Sequence, residues 1–324
     1  MKKMQVSFVA VAAVALLAAC GAPAAPAAPA ATEAMPATEA PTAVPPTEAP
    51  TAVPDLLSEI MSRGYIVVST DPNYEPQSFL NTSGSRPSDT PCPSDTLTTA
   101  EMQGFDVDVA AELAKRLGVG ICFATPDWDL ITAGNWADKW DVSVGSMTIT
   151  PERQKVLDFT SPYYYTPAVI AVADDSGITT MDQLAGQALC VGASTTYEDW
   201  LNGTLGLPAS SIYQQPPDGV QVVSVSTDQE CAQAIQAGRR DFVGYVTSGT
   251  VVDSNMAQGL KVQKVDGTVF AEELAAAVDK AHSKPIDTLV AKLSGYIDDM
   301  HSDGTLSSLS NKWFGEDLTQ NPNP

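Results

Sequence analysis

The residues best suited to hold a small polar molecule lie in one run, Gly145-Ser146-Met147-Thr148-Ile149-Thr150-Pro151-Glu152-Arg153. Asp158-Phe159-Thr160-Ser161-Pro162-Tyr163-Tyr164-Tyr165 follows closely behind it. Trp140 to Val144 reads as a strand, and the hydroxyls and a lone arginine come where that strand ends. Small hydroxyls and exposed backbone N–H groups at a strand end suit a polar ligand, and a guanidinium can grip a carboxylate through two parallel hydrogen bonds. The same residues also fit a strand leaving the core through an ordinary proline turn, with Arg153 on a solvated face. The run alone decides nothing; its setting does.

That setting alternates strands with helices. Tyr65 to Thr70 reads as a strand bounded by Gly64 and Pro72. Residues 81–101, rich in Ser, Thr, Asp and Pro, read as a loop carrying Cys92. Phe105, Val109, Leu113 and Leu117 recur four apart, with Asp106 as a candidate cap and Gly118 as a stop, the pattern of an amphipathic helix. Strands are expected near Gly120–Phe123, Ala168–Val172, Ala188–Gly192, Val220–Val225 and Arg240–Val246, with a helical turn at Asp182–Ala185 and a helix over Asp228–Ala237. Leu289, Leu293, Ile297 and Met300 mark a late helix face, and a short final helix ends at Trp313-Phe314-Gly315. Such alternation predicts an α/β fold with mixed, largely parallel sheets.

The ends of the chain say where it works. Met1-Lys2-Lys3 and the apolar run Val6–Ala19 make a secretory signal too short for a stable span. Leu17-Ala18-Ala19-Cys20 resembles the bacterial lipoprotein signal, which predicts a lipidated, palmitate-bearing Cys20 as the new N-terminus; a plain signal with a chance cysteine is the alternative. Residues 20–54 are almost wholly Ala, Pro, Thr and Glu, and Thr-Glu-Ala-Pro-Thr-Ala-Val-Pro occurs at Thr38–Pro45 and again at Thr47–Pro54. With no aromatics and almost no large aliphatics this segment cannot build a core, and it reads as an extended stalk reaching up to about 100 Å at roughly 3 Å per residue.

About 270 residues remain, and with 44% hydrophobic residues in the chain they suffice for two compact lobes. A net charge of −22 makes nucleic acid an unsuitable partner, because phosphate neutralisation needs a basic face. An acidic ligand must then be met by local positive charge. Besides Cys20 there are Cys92, Cys122, Cys190 and Cys231, an even number in an exported domain, which favours disulfides in one of three pairings. With no CxxC pair and only His282 and His301 available, neither zinc nor another metal site is expected.

Several blocks, in this order, resemble the family 3 extracellular solute-binding proteins, the amino-acid-type receptors of ABC importers. They are Ser69-Thr70-Asp71-Pro72-Asn73-Tyr74, Gly104-Phe105-Asp106-Val107-Asp108, Ser146 to Arg153 with Phe159-Thr160-Ser161-Pro162-Tyr163-Tyr164, and Val191-Gly192 with Thr195-Thr196. Ala237-Gly238-Arg239 with Asp241 and Asp303-Gly304-Thr305 with Lys312-Trp313-Phe314 complete the series over Leu56 to about Leu318. The resemblance implies a two-lobed clamshell of the type II periplasmic-binding-protein kind. After the signal (1–19) and stalk (20–54), lobe 1 would comprise 55–166 and 270–318, lobe 2 residues 167–269, and 319–324 a tail. The pairs Cys92–Cys122 and Cys190–Cys231 would each fall within one such lobe. The expected partners are a carboxylate-bearing ligand, ABC permease subunits and the membrane reached through Cys20, with the protein a monomer on the outer face of the cell membrane and no cofactor.

The same resemblance places the site. Tyr74 matches an aromatic that stacks on the ligand, and Trp128 stands as a second wall. Gly145, Ser146 and Thr148 match lobe 1 contacts, Arg153 the carboxylate-binding arginine, and Thr195 and Thr196 the lobe 2 contribution. One element is missing. The family's ammonium-binding Asp, a few residues past the Gly-Arg-x-Asp stretch, has no counterpart in Asp241-Phe242-Val243-Gly244-Tyr245-Val246-Thr247. A buried ammonium without a carboxylate is costly, so Glu75, Asp129, Glu198 or Asp199 would have to serve, or the ligand lacks a free ammonium. Gln77 also replaces a common aromatic. Two alternatives share the scaffold: a cyclohexadienyl-dehydratase-like enzyme, for which the sequence offers no nucleophile–base pair, and a ligand-binding sensory domain.

Overall fold

A computed structural model describes residues 54–322. The signal, Cys20, most of the stalk and the last residues of the tail lie outside the described residues.

The chain enters through α1 (Leu56–Arg63), capped by the Asp55 carboxylate on Ser58 N at 2.8 Å and stopped by Gly64 at φ +80°. Then come β1 (Tyr65–Ser69), a small antiparallel sheet of β2 (Asn73–Tyr74), β3 (Ser78–Leu80) and β4 (Met102–Gln103), and α2 (Phe105–Leu117). Strand β5 (Gly120–Ala124), the short α3 (Trp128–Thr132) and β6 (Val142–Thr148) follow. The four-apart apolar residues of α2 are buried as the spacing predicts, but its N-cap is Gly104; Asp106 lies inside the first turn, wholly buried, and caps nothing.

Strand β7 (Leu157–Ala173) carries the chain out of this first half, and β8 (Ala188–Gly192), α4 (Thr196–Leu201), β9 (Gln221–Val225), α5 (Asp228–Gln236), β10 (Gly244–Ser248), α6 (Gly249–Ala257) and β11 (Val262–Lys264) form a second. Strand β12 (Phe270–Asp279) returns, and α7 (Asp287–Ser302) and α8 (Thr305–Phe314) close the first half. The main sheet runs β5-β1-β6-β12-β7-β10-β8-β9, with β11 also on β7. The pairs β1–β5, β1–β6, β8–β10 and β8–β9 are parallel, while β6–β12, β7–β12, β7–β10 and β7–β11 are antiparallel. The sheet is therefore evenly mixed rather than largely parallel, because β7 and β12 both run against their neighbours.

Two separate groups of cores sit on either side of the β7–β12 pair. One joins Ile60, Phe105, Leu113, Val144 and Tyr164 to Leu274, Leu293 and Ile297; the other joins Ile170, Leu189, Val191, Trp200 and Val246 to Phe270. Cys92–Cys122 tethers the long 81–101 loop to β5 in the first half, and Cys190–Cys231 ties β8 to α5 in the second. Among the described residues no helix is long and apolar enough to cross a membrane.

Candidate functional site

A cleft enclosing about 470 Å³ of space, open solvent included, lies between the two halves. Tyr74, Trp128, Gly145, Ser146, Thr148 and Arg153 line it from the first half, and Thr195 and Thr196 from the second, so these eight residues meet at one cleft. Asp71, Tyr197, Asp228 and Glu272 line it as well.

Arg153 follows β6 in a single 3₁₀ turn and is 8% exposed. Its Nη1 donates to the Thr148 carbonyl at 3.0 Å and its Nη2 to the Ser194 carbonyl at 3.2 Å, and its guanidinium lies 5.5 Å from the centre of the Trp128 ring. Among the described residues no carboxylate forms an ion pair with it. Burial lowers its pKa, and the charge of Glu272, then that of Asp199, partly offsets this. A buried guanidinium without a partner anion is costly unless an anion joins it. The Ser194 carbonyl, on a residue at φ +61°, also accepts from Trp128 Nε1 at 3.2 Å.

Ser146 has a left-handed backbone, φ +53°, and is held there from beneath. Its N–H donates to Tyr163 Oη at 2.8 Å, its Oγ donates to Asp106 Oδ2 at 2.7 Å, and Tyr164 Oη lies 2.7 Å from that Oγ. Tyr163 in turn donates to Asp106 Oδ1 at 2.7 Å. Burial pushes the Asp106 carboxyl up to about 7, against the pull of these two hydrogen bonds. Both polar groups expected of Ser146 at a ligand are thus engaged inside the protein.

Glu272, on β12 and 1% exposed, ties the two halves. Thr148 Oγ1 donates to its Oε1 at 2.6 Å, Thr196 Oγ1 to the same oxygen at 2.7 Å, and Tyr197 Oη to Oε2 at 2.9 Å. With the Tyr197 proton directed to Glu272, the 3.0 Å contact between Tyr74 and Tyr197 has Tyr74 as donor. Burial raises the Glu272 pKa and the hydroxyls pull it back. Asp228, 5% exposed, opens α5; it accepts from Gly192 N at 2.8 Å and from Thr247 Oγ1 at 2.7 Å, and burial pushes it up to about 7. Gln77 donates to Thr250 Oγ1 at 2.5 Å, bridging β3's turn to α6.

The chain matches the model of the bacterial extracellular solute-binding proteins, family 3, over residues 66–316. It belongs to that family. It is 30% identical to the L-cystine-binding protein TcyJ of Escherichia coli K12 over 274 residues, 82% of this chain and 88% of the relative. Among solved structures, a mutant of the T. maritima protein ArgBP matches at 26% identity and a TM-score of 0.64, covering 80% of this chain and 99% of the other. The ancestral amino acid-binding protein AncCDT-1, a precursor of cyclohexadienyl dehydratase, matches at 29% identity and a TM-score of 0.63 over 80% of this chain and 99% of its own. These are two-lobed periplasmic-binding-protein folds, and the two cores here are the two lobes, with the cavity between them.

Of the carboxyls nominated from sequence, Glu75, Asp129, Glu198 and Asp199 do not line the cavity. Asp129 accepts from Leu130 N on the surface, and Glu198 accepts from Ser194 N and Ser224 Oγ. The cleft acids are Asp71, Asp228 and Glu272. Asp228 accepts from Thr247 on β10, within the stretch where an acid was expected, so a carboxylate reaches that place from the start of α5.

Proposed function

We propose that the protein is a lipid-anchored extracytoplasmic receptor that captures a small carboxylate-bearing solute, an α-amino acid or derivative, and delivers it to an ABC permease. Buried Arg153, facing the cavity with no anion of its own, carries this reading. The ligand carboxylate completes its pairing, Tyr74 and Trp128 enclose the ligand, and Gly145, Ser146, Thr148, Thr195 and Thr196 shape the two walls. Lobe 1 (55–166 and 270–318) and lobe 2 (167–269) hinge about β7 and β12, and the ligand favours closure by the difference between its affinities for the two states. Cys20 and the stalk hold the domain clear of the membrane.

The test is thermal unfolding of the soluble domain from Asp55 onward against individual amino acids, opines and organic acids. A true ligand raises the midpoint, by about 2.7 kcal/mol of added stability at a hundredfold excess over Kd. No shift with any carboxylate-bearing compound would reject the receptor reading.

A further inference from the structure

Gln77, which replaces the aromatic common at its position, does not line the ligand cleft. Its backbone is fixed to lobe 1 at the start of α2. Phe105 N donates to the Pro76 carbonyl at 3.1 Å, and Asp106 N to the Gln77 carbonyl at 2.8 Å. Gly104 permits this approach, because a Cβ there would meet the Gln77 carbonyl oxygen at 2.2 Å. The side chain, by contrast, leaves lobe 1. Its amide Nε2 donates to Thr250 Oγ1 at 2.5 Å, in the first turn of α6 in lobe 2, and both residues are buried.

Thr250 begins a run of buried hydroxyls that leads back to the hinge. Its Oγ1 lies 2.8 Å from Ser248 Oγ, which lies 2.8 Å from Thr166 Oγ1 on β7. Ser248 pairs with Ala168 on the neighbouring strand, and Thr166 pairs with Glu272 on β12. The Ser248–Thr166 contact therefore sits where the strands pass between lobes. The Gln77–Thr250 bond is the end that must break when the lobes part. Among the described residues Gln77 Oε1 has no hydrogen-bond partner.

Closing the lobes strips water from the Gln77 amide, and Thr250 offsets that loss in one relative position only. A closure that misses this position buries the amide N–H without an acceptor. An aromatic side chain makes no such demand, because apolar contact has no direction. We propose that Gln77 and Thr250 form an inter-lobe key that fixes the closed arrangement and governs how often the lobes reach it. Gln77 is then a positioning residue for binding. It touches no ligand, yet the fraction of protein able to close scales the apparent affinity of every ligand. The proposal rests on the two-lobed fold and not on what the cleft holds.

The test counts closures with no ligand present. Glu152 of lobe 1 and Gly206 of lobe 2 meet beside Arg153, where a Cβ on Gly206 would lie 2.8 Å from Glu152 Oε2. Glu152→Cys with Gly206→Cys, bridged by a short bis-maleimide, reports the closed arrangement through its crosslinking rate in the soluble domain. In that background Thr250→Val should slow crosslinking about fivefold or more, because the Gln77 N–H is then buried without its acceptor. Ser248 and Thr166 keep each other, so no other group is stranded. Gln77→Leu removes the stranded amide, so adding it to Thr250→Val should return the rate to within about twofold of the parent. A merely structural role for Thr250 predicts no such rescue. If the melting curve shows that Thr250→Val does not fold, Thr250→Ala takes its place. A rate unchanged by the Thr250 substitution, or a double variant as slow as that substitution alone, would overturn the proposal and leave the receptor reading standing.

Discussion

Replacing Arg153 with Met should move binding and stability in different directions. The side chain keeps most of its stem, so packing against Trp128 survives, while the cation–π contact, about 0.5–2 kcal/mol, is lost. Two hydrogen bonds to the carbonyls of Thr148 and Ser194 are lost as well. Against these losses stands relief of a buried guanidinium that no carboxylate pairs, a penalty of several kcal/mol. The ligand-free variant should therefore unfold within a few degrees of the parent. Binding should suffer far more. A bidentate pair with a ligand carboxylate comprises two charge-assisted bonds of roughly 1.5–3 kcal/mol each, so Kd should weaken by about 10²–10⁴-fold. Arg153→Lys should fall between, since an ammonium keeps the charge but not the planar fork. Calorimetric titration with the best ligand, beside a melting curve for each variant, measures both effects. A Kd for Arg153→Met within threefold of the parent would refute the assignment of the guanidinium to the ligand.

Gly192→Ala should weaken ligand binding at least tenfold by titration, because the new Cβ would lie 2.4 Å from Asp228 Oδ1 and displace that carboxyl from the cleft wall; unchanged affinity would show that the ligand does not depend on the placement of Asp228. Asp106 and Asp228 both have folded-state pKa values of about 7, raised above the ordinary carboxyl value. Their contribution to stability is therefore fully present below about pH 4 and lost as pH rises through about 7. The ligand-free protein should melt higher at pH 5.5 than at pH 8, and Asp106→Asn should flatten that slope in scanning calorimetry. Cys190→Ser with Cys231→Ser opens a loop of 41 residues, which by loop-closure entropy lowers stability by about 4 kcal/mol in denaturant unfolding.

The portion of the site legible in the sequence is the portion that arrives in continuous runs. Tyr74, Ser146 to Arg153 and Thr195-Thr196 each stand at the end of a strand or the start of a helix, where a few neighbouring residues announce the turn. The α2 helix was equally open to reading, since its apolar residues recur with the helical period. Asp106 was readable as to residue but not as to role: an acid at a helix start looks like a cap, and only the approach of Tyr163 and Ser146, from elements distant in sequence, makes it a buried anchor beneath the site. The sequence marks β7 only in its last third, because Pro162 and Pro167 interrupt the apolar run.

Glu272 was hidden for a stronger physical reason. Phe-Ala-Glu-Glu-Leu-Ala-Ala-Ala-Val is composed largely of helix formers, yet the segment is β12, a central strand between β6 and β7. Pairing on both edges overrides propensity, and the alanines give each neighbour room to approach. On a helix one of two adjacent glutamates would be expected in solvent; on this strand Glu273 faces outward while Glu272 turns into the cleft and is almost wholly buried. The acid missing from the Thr247 stretch is likewise supplied from elsewhere in the sequence, by Asp228 at the start of α5. Specificity in this fold depends on which carboxyls reach a shared cavity, and strands and helices far apart in sequence can deliver them to the same few ångströms. An acid absent from its usual place is therefore weak evidence against a cationic ligand, whereas three acids around one unpaired arginine are evidence about charge that any candidate ligand must satisfy.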